Sequence, residues 1–196
     1  MSGETPQPDR TPEAERSTTR PGALGLHVVL HEPEIPNNTG SVGRSCVAMG
    51  CSLHLIHPLG FEIDEKAVRR AGLDYWPRLD LHEHGDWDAF VRTRDTSSRS
   101  GAEPRLWLMT TRATRSLYDA DLRPGDALVF GKETSGLPAR ILDAHPDRCL
   151  TIPMLPGERS LNLSCTVVAA LSEAARQALA RGDRTLDDRG RLAPGG

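Results

Sequence analysis

Apolar residues come in short runs set between stretches of helical period. LHVVLH (residues 26–31), LHLIH (53–57), RLWLMT (105–110), DALVFG (126–131) and CLTIP (149–153) are each bounded by glycine, proline or polar clusters and read as strands. A weaker run at 79–82 adds another. Between them the pattern widens to a helical period. Asn38 is placed to cap a helix running to about Met49 and closed by Gly50. A short helix covers 64–70 before Gly72, and Asp86 caps one reaching about Arg94. Pro138 opens another at its favoured first position. The last helix runs from about Asn162 to Arg181, with Leu163, Val167, Ala170, Leu171 and Ala174 on one stripe. Strands alternating with helices predict an α/β fold, a mostly parallel sheet flanked by helices.

The ends lack this pattern. Residues 1–23 are polar and proline-dotted, with too little apolar surface to offset the entropy of ordering, and are expected to be a disordered tail. Residues 182–196 are read as a flexible C-terminal tail, which leaves 24–181 as one domain. No apolar run approaches the ~20 residues of a membrane span, and the N-terminus has no apolar signal core. The expected location is cytoplasmic, with no membrane partner.

Composition narrows the chemistry. Aromatic residues are only 4% of the chain, so the core must be aliphatic. The formal net charge is −3, so any polyanion site has to be a local patch. Cys46, Cys51, Cys149 and Cys165 form no C-x-x-C pair and read as reduced, buried, cytosolic thiols. His54 and His57 fall on opposite faces of a strand, and His82 and His84 read as exposed or packing residues. No metal is expected.

In an open parallel sheet, ligands bind beyond the carboxyl ends of the strands. Here those ends carry three unusual loops. EPEIPNNTGSVGR follows the first strand, and its prolines hold the chain extended before the helix begins. Taken alone, Asn38 and Arg44 also suit a capped helix with a solvent-facing arginine. FGKETSGLP follows the strand at 126–131, where Gly131 permits close backbone approach or positive φ. Glu133 can accept hydrogen bonds from a ligand or tie down its own loop. IPMLPGERSLNLS follows the last strand, and Ser160, Asn162 and Ser164 supply polar groups at a helix start.

In order and spacing, NNTGSVGR, FGKETSGLP and IPMLPGERSLNLS resemble the three motifs of the SPOUT superfamily, SpoU branch, which are S-adenosyl-L-methionine-dependent RNA 2′-O-ribose methyltransferases. LHEPEIPNNTG, HPLGF, RRAGLDYW and FGKETSGLPARIL are similar, more narrowly, to the TrmL (YibK-type) group, which methylates the wobble nucleotide 34 of tRNA. The resemblance spans about residues 26–180. It implies a deep C-terminal trefoil knot at about 127–164, an exception to the rule that chains avoid knots. It also implies a homodimer, and the anticodon stem-loop of a tRNA as partner, a leucine tRNA being expected. By position, Arg44, Asn38, Glu133 and Asn162 would be catalytic. Met109, Gly131, Ile152, Ser160 and Leu161 would bind the cofactor, and Arg69, Arg70 and Tyr75 would face RNA. Lys132 stands where relatives often have proline, and Ser172 where close relatives have tyrosine; the N-terminal extension is not a family feature. The alternatives are a SpoU-type enzyme acting on another tRNA or rRNA ribose, a catalytically silent RNA-binding homologue, and an unrelated nucleotide-binding α/β protein.

Overall fold

A computed structural model of the chain describes residues 20–62, 74–97 and 105–196. In chain order they form β1 (His27–His31), α1 (Pro36–Met49), β2 (Ser52–Ile56), a short 3-10 turn (Trp76–Arg78), β3 (Leu81–His84), α2 (Trp87–Ser97), β4 (Leu106–Met109), a second 3-10 turn (Leu117–Asp119) and β5 (Ala127–Phe130). There follow α3 (Ala139–Ala144), β6 (Cys149–Leu150), α4 (Leu163–Arg181), β7 (Arg184–Leu186) and β8 (Leu192–Pro194). The first six strands make one sheet in the order β3-β2-β1-β5-β4-β6, and every pairing is parallel.

Both faces of that sheet are covered, so its central strands are continuous apolar runs. Val28 and Leu30 of β1 pack with Val42 and Cys46 of α1 and Val167 and Leu171 of α4. Val29 points the other way, toward Phe90 of α2 and Ile141 of α3. The chain leaves β1 for β2 and β3 on one side, then returns to insert β5 between β1 and β4. That reversal opens a crevice at the carboxyl ends of β1, β5 and β4.

The predicted strands, and the predicted helices that fall within the described residues, are present with several shifts. Asn38 does not cap α1. Pro36, whose fixed φ suits the first turn, starts the helix one turn earlier, with Ile35 as an extended N-cap. Gly50 ends it at φ 64°, as expected. The weak strand lies at Leu81–His84 rather than 79–82. Pro138 is the residue before α3 rather than its first. The last strand of the sheet is only Cys149–Leu150, because the chain leaves it to build the third loop. The helix expected at 64–70 lies outside the described residues.

Residues 182–196 do not form a tail. β7 and β8 make an antiparallel hairpin, its turn fastened by the Asp187 carboxylate, which accepts the backbone N–H groups of Arg189 and Arg191. The Arg184 guanidinium donates to the Ala23 carbonyl, and Gly22 lies against the Leu192 carbonyl. Residues 20–23, counted as tail by their polarity, are therefore part of the fold, and Ala23 is buried. Cys46 and Cys51 are buried, Cys149 is half-buried, and Cys165 is exposed, contrary to its expected burial.

Candidate functional site

The site begins with one carboxylate. β5 ends at Phe130, and Gly131 follows because nothing larger fits: a Cβ there would lie 2.1 Å from the carbonyl carbon of Gly136. The loop closes on itself through a Gly136 N–H to Lys132 carbonyl bond of 3.0 Å, with Gly136 at φ 70°. This turn projects Glu133 across to the loop after β1. Glu133 Oε2 accepts the Glu34 N–H at 2.8 Å, and Oε1 accepts the Ile35 N–H at 3.3 Å and the Asn38 amide at 3.0 Å. The first loop answers in kind. The Glu34 carboxylate accepts the Thr134 N–H at 3.1 Å and its hydroxyl at 2.8 Å. Glu32 pairs with Lys132 Nζ at 2.6 Å.

A second link ties in the third loop. Asn38 is buried, and its Oδ1 accepts the Asn162 side-chain amide at 3.1 Å. Asn162 Oδ1 turns back to cap α4, accepting the N–H groups of Ser164 and Cys165 and the Ser164 hydroxyl. A continuous chain Glu133–Asn38–Asn162 thus joins loops that lie 95 and 124 positions apart.

These loops enclose a cavity of about 420 Å³ at the sheet's reversal point. That is the size of a small-ligand site. Its floor is apolar, from Met109, Phe130, Leu137 and Ile152, while Thr110, Ser135, Ser160 and Glu133 supply polar groups. Met109, Gly131, Ile152, Ser160 and Leu161, the expected cofactor residues, all line it. An apolar slot walled by strand ends and hydroxyls suits a nucleoside carrying a short polar chain. Arg112 and Arg159 also line the cavity, and both are exposed. Neither was expected at the site, although Arg159 lies inside the third motif and Arg112 lies three residues past the end of β4.

The remaining expected residues lie elsewhere. Arg44 is exposed on α1 and is not among the cavity's lining residues; its guanidinium sits 4.6 Å from the centre of the Tyr75 ring. Tyr75 was expected to face RNA, yet it is 2% exposed and its hydroxyl donates to the Gly40 carbonyl at 2.5 Å. Packing on α1 removed it from the surface. Arg69 and Arg70 lie outside the described residues.

Away from the cavity, four histidines share the α2 face of the sheet. His27 bonds to His54 and His54 to His84, each at 2.9 Å, while His82 stacks on His54 and meets Asp80 at 3.0 Å. Burial pushes His27 down to about 4 and His54 to about 2, and lowers His84 as well. The hydrogen bond to Asp80 raises His82. His84 is the packing residue expected, and His82 is half exposed.

The profile of the SpoU rRNA Methylase family matches residues 25–172. The chain belongs to the SpoU methylase family. Among relatives of this SpoU methylase is the tRNA (cytidine(34)-2′-O)-methyltransferase of Saccharophagus degradans, 47% identical over 153 residues, covering 78% of this chain and 95% of the relative. The enzyme of the same name from Yersinia pestis is also 47% identical, with 78% and 93% covered. Among solved structures, one described as giving structural insights into the 2-OH methylation of C/U34 on tRNA superposes with a TM-score of 0.71 at 44% identity, covering 80% of the SpoU methylase chain and 97% of its own. The SpoU methyltransferase AviRb from Streptomyces viridochromogenes, in complex with AdoMet, superposes with a TM-score of 0.71 at 25% identity, covering 86% and 65%.

Proposed function

We propose that this SpoU methylase transfers a methyl group from S-adenosyl-L-methionine to the ribose 2′-oxygen of cytidine or uridine 34 in the anticodon loop of a tRNA. The observation that carries this reading is the interlocked cavity itself. The three motif loops meet through Glu133, Asn38 and Asn162, in a chain 47% identical to an enzyme named tRNA (cytidine(34)-2′-O)-methyltransferase.

The cofactor would lie against the strand ends at Met109, Gly131 and Ile152, with Ser160 and Leu161 closing over it. When bound it supplies a methyl group on a sulfonium, a centre already activated toward a nucleophile. The chain's task is then alignment and charge. Fixing two reactants in line contributes up to roughly 7 to 11 kcal/mol. Glu133, Asn38 and Asn162 were expected as catalytic, but their polar atoms engage one another and the backbone, so they hold the loops in place. Arg44 is assigned the contact with substrate. A guanidinium stays charged at any working pH, so Arg44 orients the 2′-hydroxyl and the neighbouring phosphate and stabilises the developing alkoxide. The proton passes to phosphate or water.

Two wider features belong to the same reading. The backbone between about 127 and 164 would close a deep trefoil knot. It is supported by the parallel bridge between Ser116 and Thr151 and the return of the chain to α4 beside Asn38. The working form would be a homodimer. Ile35, Leu161 and Val168 are large apolar residues left exposed, and Cys165, Val168 and the departing Ser172 continue that stripe along α4. A second copy covering the stripe would also shield the cavity mouth, which Ile35 and Leu161 line. The expected compartment is the cytoplasm, where the substrate is made.

The test is methylation of an unmodified leucine tRNA transcript by the purified protein, followed by mass mapping of its nucleosides. Gain of one 2′-O-methyl group at position 34 is expected. Methylation at another ribose, or at none, overturns the assignment. Arg44→Ala is expected to lose nearly all turnover while its affinity for S-adenosyl-L-methionine stays within about threefold.

A further inference from the structure

We propose that Tyr75 is a positioning residue for Arg44, holding the guanidinium over its ring so that the arginine meets the substrate pre-oriented. This rests on the assignment of Arg44 to the chemistry. Tyr75 was expected to touch RNA, and its burial excludes that role. The surroundings point to another. Gly40, Gly43 and Arg44 lie on one face of α1, at the i, i+3 and i+4 spacing that brings side chains together. The Tyr75 hydroxyl donates to the Gly40 carbonyl, which pins the ring against that face. A Cβ at Gly43 would lie 3.5 Å from the Tyr75 ring, 3.6 Å from the Trp76 ring and 3.1 Å from Leu79. The bare glycine therefore leaves the Leu79 side chain room to pack closely, while both rings stand at ordinary contact distance from it. Arg44, one residue on, then lays its guanidinium 4.6 Å from the ring centre.

The physical consequence is entropic and electrostatic. A free arginine samples many rotamers, and each must be abandoned when it meets the substrate. The ring's negative face attracts the guanidinium and holds its plane, while its N–H edges stay open to solvent. The residue is thereby ordered before RNA arrives, and the same contact fastens the 3-10 turn at Trp76–Arg78 to the helix turn that carries the arginine. Tyr75 touches neither cavity nor solvent, so its effect on the reaction passes through Arg44.

The experiment places phenylalanine and then a graded series of fluorinated phenylalanines at position 75, and measures kcat, the KM for tRNA, the Kd for S-adenosyl-L-methionine and Tm. Each fluorine weakens the ring's negative face with little change of shape. The expected result is a kcat that falls stepwise along the series, about 5- to 30-fold from first to last, with KM and Kd within about twofold and Tm flat. Tyr75→Phe keeps most of the turnover; Tyr75→Leu, which has no ring face, falls at least as far as the most fluorinated member. A kcat indifferent to fluorination, or a rise in KM alone, overturns the proposal. Arg44→Ala separates the two layers. A dead Arg44→Ala with a flat fluorine series sinks only the role of Tyr75, whereas an active Arg44→Ala removes Arg44 from the chemistry and this role with it.

Discussion

Glu133 commits its carboxylate to the protein, and that makes its replacement informative. Glu133→Gln puts an amide N–H₂ where one oxygen accepts an N–H, with Glu34, Ile35 and Asn38 as the donors in question. Hydrogen bonds to charged groups contribute about 1.5 to 3 kcal/mol each, and leaving donors unpaired costs at the upper end. A fall in Tm of several degrees, with weaker cofactor binding in calorimetry, is expected; an unchanged Tm would mean the clamp carries no load. Gly131→Ala is harsher, because its Cβ meets backbone at 2.1 and 2.2 Å and no side chain can swing aside. Cofactor affinity should fall more than tenfold, and a binding isotherm matching the parent would contradict the close approach.

At the level of elements, α4 and the hairpin after it have separable jobs. Asn162 caps the helix with its oxygen and reaches Asn38 with its nitrogen. Asn162→Asp keeps the cap and loses the donor, whereas Asn162→Ala loses both. The alanine variant should be less stable than the aspartate variant by about 1 kcal/mol, the usual worth of a cap. Both should lose cofactor affinity, since both break the link to the first loop. Equal denaturation midpoints for the two would show that the cap contributes nothing. The hairpin works at the opposite end of the sheet from the cavity. Ending the chain at Arg181 removes the donor to the Ala23 carbonyl, so Tm should drop while cofactor affinity holds. Loss of affinity without loss of Tm would give the hairpin a part in the site.

Across the whole molecule the histidine chain ties stability to acid. His27 and His54 are held neutral, with folded values of about 4 and about 2 against 6.5 when unfolded. The unfolded chain therefore binds more protons as pH falls below 6.5, and stability declines from there toward pH 4. His82 acts oppositely, because its raised value favours folding at low pH, but it is a single group against several lowered ones. Urea midpoints should fall between pH 6.5 and 5; a flat or rising profile would contradict a neutral chain. RNA affinity tests the net charge of −3 in the same way. Binding through a local basic patch should weaken steeply with salt, and a flat salt dependence would argue for a small-molecule substrate.

Local rules were enough for much of this protein. Apolar runs marked the strands, glycine marked the end of α1, and three loops at strand ends marked the walls of the cavity, because each signal is carried by neighbours in the chain. Other features needed distant partners. Asn38 reads as a cap until Glu133 and Asn162 arrive from 95 and 124 positions away. Residues 182–196 read as a tail because their anchor, Ala23, lies 161 positions upstream of Arg184. Tyr75 reads as a surface aromatic until Gly40 and Gly43 present a groove to bury it. The sequence determined the strands and helices of the main sheet and the loops that line the cavity; the tertiary structure decided that the chain's end is a hairpin and which polar atoms remain for a ligand, since a hydrogen-bond donor or acceptor is free only after every contact across the fold has been made.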